Sequence, residues 1–369
     1  MSDSLFVQVI DPAGHAIYPA QVVKTGEGYR LERKTAAEAQ EAAPNVYLSP
    51  GWIDLHTHVY DGMTSISVPA DDVGIRTGVH LVVDAGSSGE ATLPGFRKYV
   101  VPRAVTQIRA WLNISSIGLV HLREVSDLSL ISVDRTVQAI VDNQPFVCGV
   151  KVRASGAIVG SMGTQPLRLA KLAARETGLP LMVHIGEAPP TVDEVLDLLE
   201  EGDVVTHCFH GKIGHPWGRS GLPEPALERA LARGVKLDVG HGAASFSFDI
   251  CKKAMESGHA PFSISTDVHI RNINGPVHNL ATTMSKMLGF GMPLPEVIAA
   301  VTAAPADVLR LPHWCGLDGT LKQATLFRIE DNAGRTRVYR DSKGVELVPE
   351  RTIEPMAVIC GEEWINLTN

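Results

Sequence analysis

From residue 50 onward the chain alternates short apolar runs with stretches of helical period. Runs rich in Val, Ile, Leu and aromatic residues fall at 52–58, 80–85, 111–119, 146–152, 181–184, 204–207, 236–239 and 262–267, each of strand length. Between them the i, i+3, i+4 pattern predicts helices over 94–106, 134–143, 166–177, 192–200, 225–233 and 249–257. Gly178, Gly202, Gly234 and Gly258 stand just past four of these, where helices commonly end. Eight strands alternating with helices predict an α/β fold, a (β/α)8 TIM barrel whose strands are buried on both faces. A doubly wound open sheet is the competing arrangement, but no G-x-G-x-x-G follows the first strand. Two further helical patterns lie at 280–288 and 295–311.

Both ends of the chain have a different texture. VQVI and QVVKT flank an Asp11-Pro12-Ala13-Gly14 turn and lead into an Ala/Glu-rich connection at 35–43, while LFRIE, RTRVYR and MAVIC follow the last helical pattern. These runs predict a small β-sandwich domain formed by 1–49 and 312–369, packed beside a barrel domain over 50–311.

A chain of 369 residues accommodates both units. Hydrophobic residues at 44% and charged residues at 20% suit a globular enzyme and exclude disordered, collagen-like and coiled-coil classes. A net charge of -8 lacks the basic excess that nucleic acid or an anionic membrane requires, so a small-molecule substrate is the expected partner, with homo-oligomerisation left open. The opening MSDSLFVQVID has no basic or long apolar leader segment, and no stretch reaches the roughly 18 to 20 apolar residues of a membrane span, so a cytoplasmic location is expected. The five cysteines are odd in number and never spaced C-x-x-C, which argues against a disulfide framework or a thiolate metal site.

Chemistry concentrates at the strand ends. In GWIDLHTHVYDG, Asp54, His56 and His58 recur at every second position and share one strand face. His184 ends the fifth predicted strand, His207 the sixth and Asp267 the eighth, and the C-terminal ends of barrel strands are where such folds place their chemistry. One such histidine reads as a hydrogen-bonded core residue, whereas four with an aspartate at matching ends are hard to explain by packing. Lys151 lies mid-strand in FVCGVKVRAS, where an unpaired ammonium costs several kcal/mol to bury. Either its head reaches solvent or a carboxylate, or it is carboxylated to an anion able to bridge two cations.

GWIDLHTHVYDG, GVKVRAS, MVHIGEAP, THCFHGK, DVGHGAASF and ISTDVH together resemble, in order, the amidohydrolase superfamily, within it the amidohydrolase/deacetylase group, dihydroorotase-like and similar to acetyl-(R)-mandelate deacetylases. The resemblance implies two divalent metal ions, most often Zn2+. One is held by His56, His58, a carboxylated Lys151 and Asp267, the other by Lys151, His184 and His207. It further implies hydrolysis of an amide or ester by a hydroxide shared between the ions, with Asp267 as catalytic base, and deacetylation of a small N- or O-acetylated carboxylate. Asp54, deeper on the strand, is expected to support the ligands by hydrogen bonding.

Candidate substrate contacts are Tyr60, Arg153, His241 and His269, with a structural salt bridge as the competing role for Arg153. His210, Lys212 and His215 lie on the loop after the sixth strand, where they either shape the pocket or are simply solvated. Dihydroorotases carry an arginine where this chain has Tyr60, which places cyclic amide hydrolysis (dihydroorotase- or hydantoinase-like) second. A non-catalytic scaffold derived from a hydrolase is the remaining alternative. GTLKQATLFRIED departs from the segment that usually returns such chains to the small domain, a departure that touches no ligand.

Overall fold

Every residue from Trp52 to Thr57 is buried, polar and apolar alike, because this strand has packed neighbours on both faces. The computed structural model describes residues 4–35, 38 and 45–367, so most of the Ala/Glu-rich connection at 35–43 lies outside the described residues. Four strands precede this one: β1 (Ser4–Asp11), β2 (Ala16–Thr25), β3 (Gly28–Arg33) and β4 (Val46–Pro50). Then β5 (Trp52–Thr57), β6 (Val79–Gly89), β7 (Gln107–Asn113), β8 (Val147–Ala154), β9 (Leu181–Ile185), β10 (Val204–Thr206) and β11 (Lys236–Asp238) pair in chain order as a curled parallel sheet. Register sets His184 level with both Arg153 and Thr206, so the polar strand ends share one rim.

The eighth predicted strand, 262–267, is extended without forming a regular ladder. Single bridges, Asp238 to Ser263 and Thr57 to Val268, tie it to β11 and β5. Backbone bonds from Val239 N to Ser263 O (3.1 Å) and from Asp267 N to His56 O (2.7 Å) close the barrel on either side of it. Its regularity is lost to side-chain competition. The hydroxyls of Ser263 and Ser265 donate to Asp238, that of Thr266 donates to Asp54, and Asp267 turns left-handed at φ 49°.

Other expected boundaries also moved for local reasons. The strand expected at 111–119 runs over Gln107–Asn113, because the Asn113 side chain accepts the N–H of Ser115 at 2.9 Å and turns the chain. The helix expected at 94–106 breaks into Leu93–Gly95, a π-turn over Phe96–Val100 and a 3-10 turn over Val101–Arg103, where Pro102 cannot donate a helical bond. The pattern at 295–311 divides into Leu294–Ala299 and Ala303–Val308. No helix among the described residues is long and apolar enough to cross a membrane.

The barrel interior is filled by Ile53, Leu55, Leu81, Val83, Trp111 and Met182, and Trp314 joins the same cluster from beyond the last helix. The helical layer packs on the outer strand faces through a larger apolar cluster that includes Val82, Leu112, Val150 and Val183. Outside the barrel, β12 (Gln323–Asp331), β15 (Arg351–Cys360) and β16 (Glu363–Asn366) join β1 to β4, while β13 (Tyr339–Arg340) and β14 (Glu346–Leu347) form a separate hairpin. The terminal strands form one seven-stranded sheet of order β16-β15-β12-β4-β1-β2-β3, where two stacked sheets were expected. The sheet curls until its edges meet, with Tyr29 and Trp364 rings 5.4 Å apart and Leu321 N donating to Tyr29 O at 2.7 Å, so it encloses its own core of Val9, Val22, Leu48, Leu326 and Ile359.

Asp54 is the clearest test of barrel closure. Its carboxylate accepts from Thr266 N (3.1 Å), Thr266 Oγ1 (2.6 Å) and His56 N (3.3 Å). Asp54→Ala leaves those buried donors without acceptors and should cost about 3 kcal/mol, visible as a lowered thermal midpoint, with Asp54→Asn losing less. A midpoint unchanged in Asp54→Ala would rule out this role.

Candidate metal centre

The ligand-type residues sit where apolar strands end, and their surroundings fix both position and tautomer. Thr206 donates its hydroxyl proton to Asp238 at 2.8 Å, so it can only accept from His56 Nδ1–H, 2.8 Å away. The His56 Nε2 lone pair therefore faces the barrel mouth. His207 Nδ1–H donates to Gly240 O at 2.5 Å, which turns its Nε2 lone pair the same way. His58 Nδ1 lies 2.9 Å from Ser87 Oγ.

These nitrogens converge on Asp267. Its Oδ1 is 3.0 Å from His58 Nε2 and 3.4 Å from His56 Nε2, and its Oδ2 is 3.9 Å from His207 Nε2. Donor atoms of His56, His207 and Asp267 all lie within 4.8 Å of one another. Two ligands on one tetrahedral ion, with bonds of about 2.1 Å, stand roughly 3.4 Å apart, so the spacing of the His56, His58 and Asp267 donors fits a shared cation. The donor chemistry fits as well, because lone pairs and a carboxylate converge in a buried space. Lys151 Nζ is 3.3 Å from His56 Nε2, and the His184 ring stands edge-on to His207 with centroids 4.5 Å apart. The structure thus brings all six expected ligand residues, His56, His58, Lys151, His184, His207 and Asp267, to one rim.

Two glycines make this crowding possible. A Cβ on Gly86 would lie 2.7 Å from Lys151 Cγ, and one on Gly242 would lie 2.6 Å from Asp267 Oδ2; both residues also have left-handed φ, 85° and 58°. His207 (φ 67°) and Asp267 (φ 49°) adopt the same unfavourable region with full side chains, as residues held in place for chemistry often do.

Electrostatics keep the bases neutral. Burial, then the nearby Lys151, holds His56 well below the usual imidazole range, and burial, then His207, does the same for His184. Burial lowers His207 to about 4 and the Lys151 amine to about 7. Burial alone would raise Asp267, but His56, His207 and the hydrogen bond from His58 outweigh it and hold the carboxyl well below its ordinary value.

The expected substrate contacts fare unevenly. Tyr60 is fully packed, stacked on Phe96 with centroids 4.6 Å apart and its hydroxyl donated to Thr92 O at 2.8 Å, a structural position. Arg153 is anchored: Nε donates to Glu124 Oε1 at 2.9 Å and Nη2 to Glu124 Oε2 and to Leu122 O, so the salt bridge is formed and Nη1 is the group left over. His241 is buried with Nδ1–H donated to Gly242 O (2.9 Å) and Nε2 accepting from Lys286 Nζ at 2.7 Å, which leaves its ring nitrogens engaged. His269 remains half-buried beside His58, ring centroids 6.4 Å apart, and borders the centre.

Sequence reading missed the supporting residues. Asp84 accepts from Val59 N (2.8 Å) and Ser87 N (2.7 Å), while Asp238 collects Thr206, Ser263 and Ser265. Each is a lone acid inside an apolar strand run, LVVDAG and KLDVG, and that is the signal that marks them. Glu124 and Lys286 carry no comparable local signal.

No family profile matches the chain. A deacetylase of Agrobacterium fabrum is 43% identical over 326 residues, covering 88% of this chain and 80% of the relative. A crystal structure described as a dihydroorotase superposes with a TM-score of 0.85 at 37% identity, covering 99% of this chain and 98% of the other. One described as an adenine deaminase gives 0.88 at 34%, covering 98% and 99%. The strand-end centre, the curled parallel sheet and these likenesses lead to one conclusion: the chain belongs to the amidohydrolase superfamily of metal-dependent hydrolases, alongside its deacetylases.

Proposed function

We propose that this enzyme deacetylates a small N- or O-acetylated carboxylate of the acetyl-(R)-mandelate kind, using two zinc ions and a carboxylated Lys151. The observation that carries the reading is the convergence of His56, His58, His207 and Asp267 beside a buried lysine, in a chain that is 43% identical to a named deacetylase. His56, His58, Lys151 and Asp267 would hold one ion and Lys151, His184 and His207 the other. When bound, such ions acidify water and polarise a carbonyl.

The chain's own groups do the rest. Asp267 Oδ1 is engaged by His56 and His58, so Oδ2, beside Gly242, is the oxygen placed to take a proton from the attacking water and return it to the departing amine or alkoxide. Arg153, fixed by Glu124, offers Nη1 to a substrate carboxylate, and His269 lines the approach. A small molecule is the only partner this reading needs.

Cyclic amide hydrolysis is the second reading, favoured by the neighbour described as a dihydroorotase. Tyr60 weighs against it, since it points its hydroxyl at Thr92 O and supplies no cation to the site. Turnover of N-acetyl amino acids and acetylated hydroxy acids but not hydantoins by metal-loaded protein would select deacetylation; hydantoin cleavage alone would reverse the order. A decayed scaffold would show neither metal nor turnover.

Asp267→Asn should lose at least about 100-fold in kcat while elemental analysis still finds metal; full activity would remove its catalytic role. Lys151→Ala should lose metal and recover in part with added short carboxylic acids, which can supply the missing anion; unchanged metal content would refute the bridge. The carboxylation itself needs the neutral amine. Because burial lowers that amine to about 7, the reactive form predominates above this pH, so reactivation of metal-free protein by zinc and dissolved carbon dioxide held at one concentration should speed up as pH rises through about 7 and then level off. A rate still climbing toward the ordinary lysine range would contradict it.

A further inference from the structure

Asp267 Oδ2, the oxygen placed for proton transfer, owes its position to packing. His56 and His58 stand against Oδ1, whereas Oδ2 is 3.9 Å from His207 Nε2 and lies against Gly242, where an added Cβ would be 2.6 Å away. The Gly242 backbone is therefore the wall that sets where this oxygen points. Three hydrogen bonds hold that backbone in its left-handed conformation, φ 58°. Gly242 N donates to Thr266 O (2.9 Å), His241 N donates to Ser265 O (3.2 Å), and the His241 ring donates Nδ1–H to Gly242 O (2.9 Å).

The last of these bonds depends on Lys286. A neutral imidazole carries one proton, so Nδ1–H leaves a lone pair on Nε2, and Lys286 Nζ donates to it at 2.7 Å. An ammonium can only donate, which excludes the other tautomer, the one that would turn an Nδ1 lone pair toward the Gly242 carbonyl. Lys286 is wholly buried, and its other protons go to Pro276 O (2.7 Å) and Arg340 O (3.0 Å). Burying an ammonium on neutral acceptors costs several kcal/mol, and such a group is retained where its donors are needed. The far end of the same loop is also held. Asp341 accepts from Phe248 N at 3.0 Å and Ser342 N donates to Phe246 O at 3.0 Å, both from the hairpin that carries Arg340.

We propose that Lys286 and His241 are positioning residues for the catalytic base. The lysine fixes the imidazole tautomer, the imidazole fixes the Gly242 carbonyl, and Gly242 keeps Asp267 Oδ2 aimed at the attacking water. Neither residue needs to touch the substrate, and no proton moves along the chain; Oδ2 alone takes the water proton and returns it. A base displaced by about 1 Å loses on the order of 100-fold in rate, so a small relaxation of the Gly242 backbone is enough to be felt. The assignment rests on the reading of Asp267 as the base of a hydrolase.

Two substitutions of His241 separate this route from a purely structural clamp. An Asn amide lies where Nδ1 lies and still donates to Gly242 O but stops short of Lys286; a Gln amide reaches Lys286 and gives up the Gly242 bond. Kinetics use metal-loaded protein and whichever of N-acetyl amino acids, acetylated hydroxy acids or hydantoins the wild type hydrolyses. His241→Gln should lower kcat by about 30- to 100-fold and His241→Asn by about threefold, with KM and metal content little changed in both. Lys286→Met should lose about as much as His241→Gln alone, but no more than about threefold further when added to His241→Asn, whose amide no longer depends on the lysine. If Lys286→Met does not fold, the contrast between Asn and Gln decides by itself. Heteronuclear NMR of the wild type should find the His241 ring protonated at Nδ1, whatever the substrate. Protonation at Nε2, an Asn variant as slow as the Gln variant, a Gln variant as fast as wild type, a loss confined to KM, an equal cost of Lys286→Met in both backgrounds, or loss of metal would each overturn the assignment. Cleavage of hydantoins alone removes the deacetylase reading and leaves the contrast to be read on that substrate, whereas no hydrolysis of any of these compounds removes the base and the assignment with it.

Discussion

A parallel barrel gathers side chains from distant strands around one point only if its first and last strands close, and here closure depends on a buried carboxylate. Asp54 on β5 accepts both the backbone and the hydroxyl protons of Thr266, the residue before Asp267. Asp238 on β11 does the same for the hydroxyls of Ser263 and Ser265 on the other side of the same segment. The segment from 262 to 268 is thus suspended between two acids by side-chain bonds, where a regular ladder would have fixed every residue alike. Burial pushes the Asp54 carboxyl up to about 7, and the hydrogen bonds from Thr266 and His56 only partly offset it. Such groups are retained when what they hold is worth the cost, and here that is Asp267.

The same network decides what the centre can bind. Asp238 takes the Thr206 proton, Thr206 must then accept from His56, and His56 is left with its lone pair facing the rim. The carbonyl of Gly240 does the equivalent for His207. With Asp267 between them, acceptors face one another across 3.4 to 3.9 Å in a buried space, an arrangement that repels itself unless a cation enters. The left-handed backbones of His207 and Asp267, about 1 to 3 kcal/mol each, point the same way: the fold stores strain at the residues that would hold the ion.

How far these features were legible in the chain follows from the range over which each signal acts. His56 and His58 obey strand alternation, and His184, His207 and Asp267 end apolar runs, so local pattern plus barrel geometry was enough to bring them together. Tyr60 failed because β5 ends at Thr57; three residues past a strand end, alternation no longer says which way a side chain points. Arg153 shares the Lys151 face as expected, but its partner Glu124 comes from a loop before the next helix, beyond any periodic reading. The run expected as an eighth strand closes the barrel through isolated bridges and single backbone bonds without becoming a regular strand, and that irregularity was hidden, since serine and threonine bonding to distant acids leaves no trace in hydropathy. The terminal runs were legible as strands, whereas whether they stack as two sheets or curl as one depends on contacts such as Tyr29 with Trp364, far apart in sequence.

Two buried lysines show why residue type and burial alone do not identify a reactive group. Burial lowers both Lys151 and Lys286 to about 7. Lys286 Nζ donates to Pro276 O (2.7 Å), Arg340 O (3.0 Å) and His241 Nε2 (2.7 Å), which uses all three ammonium protons. That geometry favours the charged form and makes Lys286 a clamp joining its helix, Leu280–Gly289, to the β13 strand and to the loop that carries Gly242. Lys151 has no such set among the described residues; its nearest polar neighbour is a histidine whose lone pair is directed at the metal centre. Its amine gains little from staying protonated and lies next to groups that call for a bridging anion. The clamp also accounts for His241, whose imidazole is occupied in holding Lys286 through Nε2 and Gly242 O through Nδ1–H and so has no ring nitrogen to spare.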